Sequence, residues 1–244
     1  AAVATVLGYV VSTIIALIQL FLTKQKVKPV FKNCLEPQMI KLIFSYGLPS
    51  FVMNALGAFT VNFANMFLVR YSDTAVAFFG AYFKVQQLIF MTVNGLIQGC
   101  LPIMRFNYRA KEYGRLKQAN KSGTIIATVM MIVGMLLVLI FPKEILFLFS
   151  ASEEMCAFGV PAMRIMSLGF VFSGFSAMIA TYEQATDSIM PGVVIQLLRQ
   201  GVLLVPVIWL LNSAVQMTGI WLAFPITEFV TFLVAVVFAK IKNH

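Results

Sequence analysis

The sequence predicts an all-α membrane protein with seven transmembrane helices. Sixty per cent of its 244 residues are hydrophobic and 11% are charged, whereas a soluble domain carries about 25% charged residues. The mean hydropathy is +0.91. Apolar runs follow one another along the chain, each long enough to cross about 30 Å of hydrocarbon as a helix that rises about 1.5 Å per residue. The runs are 1–22, 42–69, 76–102, 122–141, 159–181, 193–211 and 218–239.

Basic residues mark every second gap between these runs. The gap after the first run carries five lysines against one acid, and the gap after the third carries six basic residues against one acid. The alternate gaps hold few positive charges. Because Lys and Arg accumulate on the cytoplasmic side of membrane proteins, the basic gaps and the tail 240–244 are predicted to be cytoplasmic. This pattern predicts a multi-pass protein of a plasma membrane, for which a bacterial inner membrane is the natural choice.

The net charge of +9 follows from this asymmetry, so it does not indicate nucleic-acid binding. We expect the basic residues to orient the helices and to lie near anionic lipid headgroups. The three cysteines share no short spacing, so no thiolate metal site is predicted. The single histidine is His244, at the end of the chain, which excludes a zinc-binding HExxH motif and a Ser–His dyad. We therefore predict neither an enzyme nor a bound cofactor.

The order of the runs predicts one lone span, a linker and a lobe of six spans. Residues 23–41 form the linker, a basic cytoplasmic segment that Pro29 and Pro37 keep from continuing as helix. The six spans within 42–239 begin and end on the same side of the membrane. The first run begins at residue 1 without a methionine or a basic leader, so we expect a longer protein in which 1–22 is the last helix of a missing N-terminal lobe. Two lobes of the same orientation are the parallel-repeat plan of some transporters.

Four short elements lie in register along the predicted lobe. They are Ser45-Tyr46-Gly47-Leu48-Pro49-Ser50, Gln98-Gly99-Cys100-Leu101-Pro102-Ile103, Leu198-Arg199-Gln200-Gly201 and Gly219-Ile220-Trp221-Leu222-Ala223-Phe224-Pro225. In this order and spacing the chain, over about 1–240, resembles the C-terminal half of the multidrug and toxic compound extrusion (MATE) family. The resemblance implies a twelve-helix antiporter that exports small cationic or amphipathic compounds in exchange for Na⁺ or H⁺ by alternating access.

The chain also departs from the family pattern. Arg109 stands where many members have glycine, and Thr186-Asp187-Ser188 replaces a glycine-and-basic segment. Some members carry cation-binding acids in the second span and in the middle of the fifth, and this chain has neither. The resemblance therefore implies that the acid which couples transport to Na⁺ or H⁺ lies in the missing half.

Polar side chains follow one side of the third predicted helix. At about 100° per residue, five positions fall in one stripe, and Gln86 lies off it. The stripe is Lys84, Gln87, Met91, Asn94 and Gln98. Polar groups at membrane depth usually face water or protein. We interpret the stripe as the wall of a substrate cavity; the alternative is a seam of hydrogen bonds between helices.

Three further spans carry candidate residues. In the second span, Asn54 and Asn65 share a side with small residues, so they line either the same cavity or a close helix contact. In the sixth, Arg199 is a candidate partner for Glu228, which lies near the middle of the seventh span. This couple is predicted to be either a structural ion pair or a site of ion or proton coupling. Glu183, at the inner end of the fifth span, is expected to be solvated.

Two other functions remain open. Lipid-linked oligosaccharide flippases share the general architecture, and their cavities are expected to carry more cationic residues to meet pyrophosphate. Lys84 agrees with that function, whereas the Gly219–Pro225 element favours the drug exporters. The other alternative is a membrane protein that transports nothing and only binds a partner.

Overall fold

The computed structural model describes residues 2–22, 36–186 and 189–242. The described residues contain helices and turns but no strand. Residues 23–35 of the predicted linker and the last two residues of the predicted tail lie outside this range. The chain divides into two compact units, Ala1–Pro49 and Ser50–His244. The predicted boundaries at 22/23 and 41/42 stay a prediction.

Ten α-helices and one π-helical segment make up the described chain. The helix α1 lies in the first unit, and α2 begins there and continues into the second. The bounds are Ala2–Leu22 for α1, Pro37–Leu68 for α2, Asp73–Arg109 for α3, Tyr113–Ile140 for α4, Pro142–Phe147 for α5, Glu153–Ser167 for α6, Phe170–Ala185 for α7, Ile189–Leu197 for α8, Leu198–Val202 for the π-helical segment, Leu204–Val215 for α9 and Met217–Lys242 for α10.

Four helical stretches are long and apolar enough to cross a membrane: Asp73–Arg109, Tyr113–Ile140, Glu153–Ala185 and Met217–Lys240. Three shorter apolar stretches lie in α1, α2 and α9, at Val6–Leu20, Ala55–Leu68 and Leu204–Val215. The predicted all-α membrane fold is confirmed. That all seven runs cross the membrane stays a prediction.

Local sequence signals set the ends of several helices. The Ser72 side chain accepts a hydrogen bond from the backbone N–H of Ala75 at 3.0 Å and so caps α3. Ser152 caps α6 in the same way, at 3.2 Å from the N–H of Met155. Each cap satisfies a backbone donor that the first turn of a helix leaves free. Between α3 and α4, Lys111 turns the chain with a φ of 62°.

Aromatic side chains join α3 to α10. The Phe78 ring lies 5.2 Å from Trp221, and Phe79 and Phe83 lie 5.8 and 6.1 Å from Phe224. Such pairs contribute about 0.5–1.5 kcal/mol each beyond the area they bury. We call this set, with Tyr82, the aromatic seam.

Two interruptions of regular helix, and a proline inside a third helix, lie in the lobe. The π-helical segment contains Gly201, whose φ is 156°. A turn at Leu168–Gly169 separates α6 from α7, and Pro225 lies inside α10. A Cβ at Gly169 would lie only 3.2 Å from the Cα of Pro225 and 3.3 Å from the Cγ of Glu228. The α6–α7 turn and the proline of α10 therefore touch each other, and π-helical turns occur frequently at functional sites.

Candidate functional site

A cavity of about 460 Å³ lies within the second unit, beside these interruptions. Residues from α2, α3, α6–α7, the α8–π segment and α10 line it. The polar lining side chains include Gln86, Gln87, Asn94, Gln196, Arg199 and Glu228, and the aromatic ones are Phe83, Phe90, Phe170 and Phe224. The cavity thus combines amide groups, one acid, one base and flat apolar walls. That mixture suits an amphipathic small molecule.

An ion pair lies in the wall of the cavity. The Arg199 Nε donates to the Glu228 Oε1 at 3.1 Å, and the two side chains are 17% and 16% exposed. The guanidinium also lies 4.8 Å from the ring centroid of Phe90, within the range of a cation–π contact. The predicted contact between Arg199 and Glu228 is therefore present. Whether it is structural or takes part in ion coupling stays a prediction.

The geometry of α3 divides the predicted polar stripe. Gln87 and Asn94 line the cavity, whereas Lys84, Met91 and Gln98 do not. The Nζ of Lys84 lies 6.0 Å from the Phe149 ring centroid, and Met91 is 69% exposed. A substrate role for each of these side chains stays a prediction.

The face that α3 turns to the cavity is rotated from the predicted stripe. It consists of Phe83, Gln86, Gln87, Phe90, Asn94 and Ile97, which follow a helical spacing of three and four residues. The predicted stripe is centred on the side of Gln87, Met91 and Gln98, so it passes over the aromatic positions at the centre of this face. The same rotation explains why Gln86 lies off the predicted stripe although it lines the cavity.

Of the two candidate asparagines of the second span, Asn65 does not line the cavity. Asn65 is half-buried, outside the cavity, and its Oδ1 is buried without a hydrogen-bond partner in the described part of the chain. Asn54 is helical, but its side chain lies outside the described set. From α2 the cavity receives Gly57, Thr60 and Val61 instead.

The expectation for Glu183 is wrong. Its side chain is 1% exposed, in the last turns of α7. The reason is that α8 covers this end: a Cβ at Gly192 would lie 3.0 Å from the carbonyl oxygen of Ala180 and 3.1 Å from Gln184. This cover could not be predicted, because Thr186-Asp187-Ser188 is typical of a polar loop. Within the described residues, no group of three or more His, Cys, Asp or Glu side chains could hold a metal ion.

Apolar helices of membrane-spanning length, interrupted beside a polar cavity with an ion pair at its wall, are features that membrane transport proteins share. The family model MatE matches residues 49–210, more than half of the chain. The chain therefore belongs to the MatE (MATE) family.

Relatives and solved structures agree with this assignment. The multidrug export protein MepA of Staphylococcus aureus (strain MSSA476) is 26% identical over 183 residues, which cover 75% of this chain and 40% of MepA. MepA of Staphylococcus haemolyticus (strain JCSC1435) is 27% identical over 207 residues, or 84% of this chain and 45% of that protein. The chain thus spans less than half the length of these curated relatives.

Two solved structures share the fold. An outward-facing MATE family multidrug resistance transporter of the MOP superfamily superposes with a TM-score of 0.84 at 18% identity, covering 99% of this chain and 55% of that one. A crystal structure of MATE in the bent conformation gives a TM-score of 0.82 at 18% identity, with 99% and 54% coverage.

Proposed function

We propose that this chain forms part of a secondary active antiporter that exports small cationic or amphipathic compounds, drugs among them, in exchange for Na⁺ or H⁺. The observation that carries the proposal is the cavity with the Arg199–Glu228 pair in a chain of the MatE family. Relatives named as multidrug export proteins support the export of small molecules rather than an enzymatic reaction.

Transport by alternating access requires two bodies that move against each other. The relatives are more than twice as long as the matched segment, which supports a second lobe, N-terminal to 42–239, as the partner of this one. The protein lies in the plasma membrane with its C-terminus in the cytoplasm, because the basic gaps then face the anionic inner surface.

Glu228 already has a cationic partner in Arg199. A coupling ion at Glu228 would have to displace this guanidinium, so we place the acid that couples transport outside this cavity, in the N-terminal lobe. The flippase alternative requires several lining cations, whereas Arg199 is the only cation among the described residues that line the cavity.

The test uses the complete transporter polypeptide that carries this chain, reconstituted in liposomes. A Na⁺ or a proton gradient should drive efflux of a fluorescent organic cation, and dissipating that gradient should stop it. The 244 residues alone should drive none. Gradient-independent movement of a labelled lipid, with no efflux of soluble compounds, would exclude the antiporter.

A further inference from the structure

We propose that Arg199 determines the specificity of this cavity by binding an anionic group (a carboxylate, sulfonate or phosphate) carried by an amphipathic ligand. The inference rests on the proposed function, and it specifies the charge of the ligand group that the cavity binds.

Most of the hydrogen-bonding capacity of Arg199 is unused. A guanidinium has five N–H donors in a planar fork, and the one hydrogen bond of Arg199 runs from Nε to Glu228. The terminal nitrogens have no hydrogen-bond partner among the described residues, and neither of them is fully buried. They therefore remain open to the cavity that Arg199 lines.

The carboxylate of Glu228 is more deeply buried than the guanidinium of Arg199. The free oxygen of Glu228, Oε2, is fully buried and has no hydrogen-bond partner in the described chain. The Cγ of Glu228 also lies close to Gly169, at 3.3 Å from a Cβ built there. The free carboxylate oxygen is therefore less accessible to a ligand than the terminal nitrogens of Arg199.

The surroundings of the guanidinium suit an anion with an apolar body. Phe90 holds the guanidinium at 4.8 Å from its ring centroid, and Glu228 fixes one edge, so the remaining fork is oriented before a ligand arrives. Arginine pairs with carboxylates and phosphates through two parallel hydrogen bonds. The amides of Gln86, Gln87 and Gln196 supply further donors, and Phe170 and Phe224 supply an apolar wall.

The experiment measures binding of three fluorescent probes with the same aromatic body to the complete, purified transporter polypeptide. Dansylglycine carries a carboxylate, dansylcadaverine an ammonium, and ε-dansyl-lysine both. Arg199→Gln should weaken binding of the two carboxylate probes at least tenfold and strengthen binding of dansylcadaverine. Glu228→Gln should act in the opposite direction on dansylglycine and tighten its binding about threefold, because the cavity then keeps an uncompensated guanidinium.

Two further variants separate recognition from folding. Arg199→Gln leaves the Glu228 carboxylate buried and unpaired, so Arg199→Gln combined with Glu228→Gln repeats the measurement without that charge and should still bind dansylglycine at least tenfold more weakly. Arg164→Gln is the matched control, because Arg164 does not line the cavity and its Nε donates to the Leu139 carbonyl oxygen at 3.2 Å. This variant should not change the order of the affinities for the three probes.

A structural role for the pair predicts a different outcome. Both single variants would then lower thermal stability and weaken all three probes by the same factor, which would overturn the inference. Binding of dansylcadaverine alone by the unaltered protein would overturn it too, while leaving the proposed function intact. If the unaltered protein bound none of the three probes, the inference would be wrong, while the proposed function would still be decided by the gradient-driven efflux of an organic cation. Repeating the dansylglycine titration in nanodiscs with and without phosphatidylglycerol assigns the source of the anion: competition identifies a lipid headgroup, and its absence a soluble ligand.

Discussion

Replacing Gly201 by alanine should destabilise the lobe by about 2–3 kcal/mol. The φ of 156° at Gly201 lies in the region that favours glycine, and an L-residue with a positive φ costs about 1–2 kcal/mol. The added Cβ would also collide with the Oγ1 of Thr60 and lie 3.3 Å from the Cγ of Leu56. Thr60 would have to rotate and give up its 2.9 Å hydrogen bond to the Leu56 carbonyl oxygen, at a further cost of about 1 kcal/mol.

The measurement is the melting temperature of the purified protein in detergent, which should fall by about 5–10 °C. Gly80→Ala is the matched control, because it adds the same methyl group inside α3 with nothing within 4 Å. There alanine should be neutral or slightly stabilising, by up to about 1 kcal/mol. Equal melting temperatures for Gly201→Ala, Gly80→Ala and the unaltered protein would refute the reasoning, since neither the backbone conformation nor the collision would then carry a cost.

Three other predictions follow from the lobe. Asn94→Leu should change which compounds the complete transporter exports, whereas Gln98→Leu, outside the cavity, should not; equal shifts in both efflux profiles would contradict this. A cysteine at Ser72 should react with an impermeant thiol reagent added outside the cell and one at Ser122 should not, and the reverse labelling would invert the proposed orientation. Gly174→Ala should cost about 1–3 kcal/mol in thermal unfolding, because its Cβ would lie 3.1 Å from the carbonyl oxygen of Ala127; unchanged stability would show that α4 and α7 separate easily.

The helices could be predicted because their signals are local. Run length and composition identify apolar helices without tertiary information, and all four of the long apolar stretches coincide with predicted runs. Proximity of Arg199 and Glu228 was also predictable, since a carboxylate at membrane depth needs a partner. Their separation of 29 residues in the sequence does not predict the geometry of the contact.

The cavity face of α3 could not be predicted in the same way. The rotation of a helix about its axis depends on what its neighbours bury, and Phe83 and Phe90 read equally well as lipid-facing residues. Only the packing of α10 and α7 against α3 shows that they face a cavity. The prediction for Glu183 was wrong for a related reason. Its burial depends on the packing of α8, and a polar segment separates α8 from α7 in the sequence.

The aromatic seam has a mechanical consequence. Separating α3 from α10 at the level of Phe78 and Trp221 would expose several large rings at once, so we expect these two helices to keep a fixed spacing, as one strut, during the proposed transport cycle. We expect the lobe to bend instead at Gly169 and at the π-helical segment around Gly201. A spin label on α8 should therefore change its distance to α3 when the transporter switches sides, while a label pair across the strut keeps a constant separation.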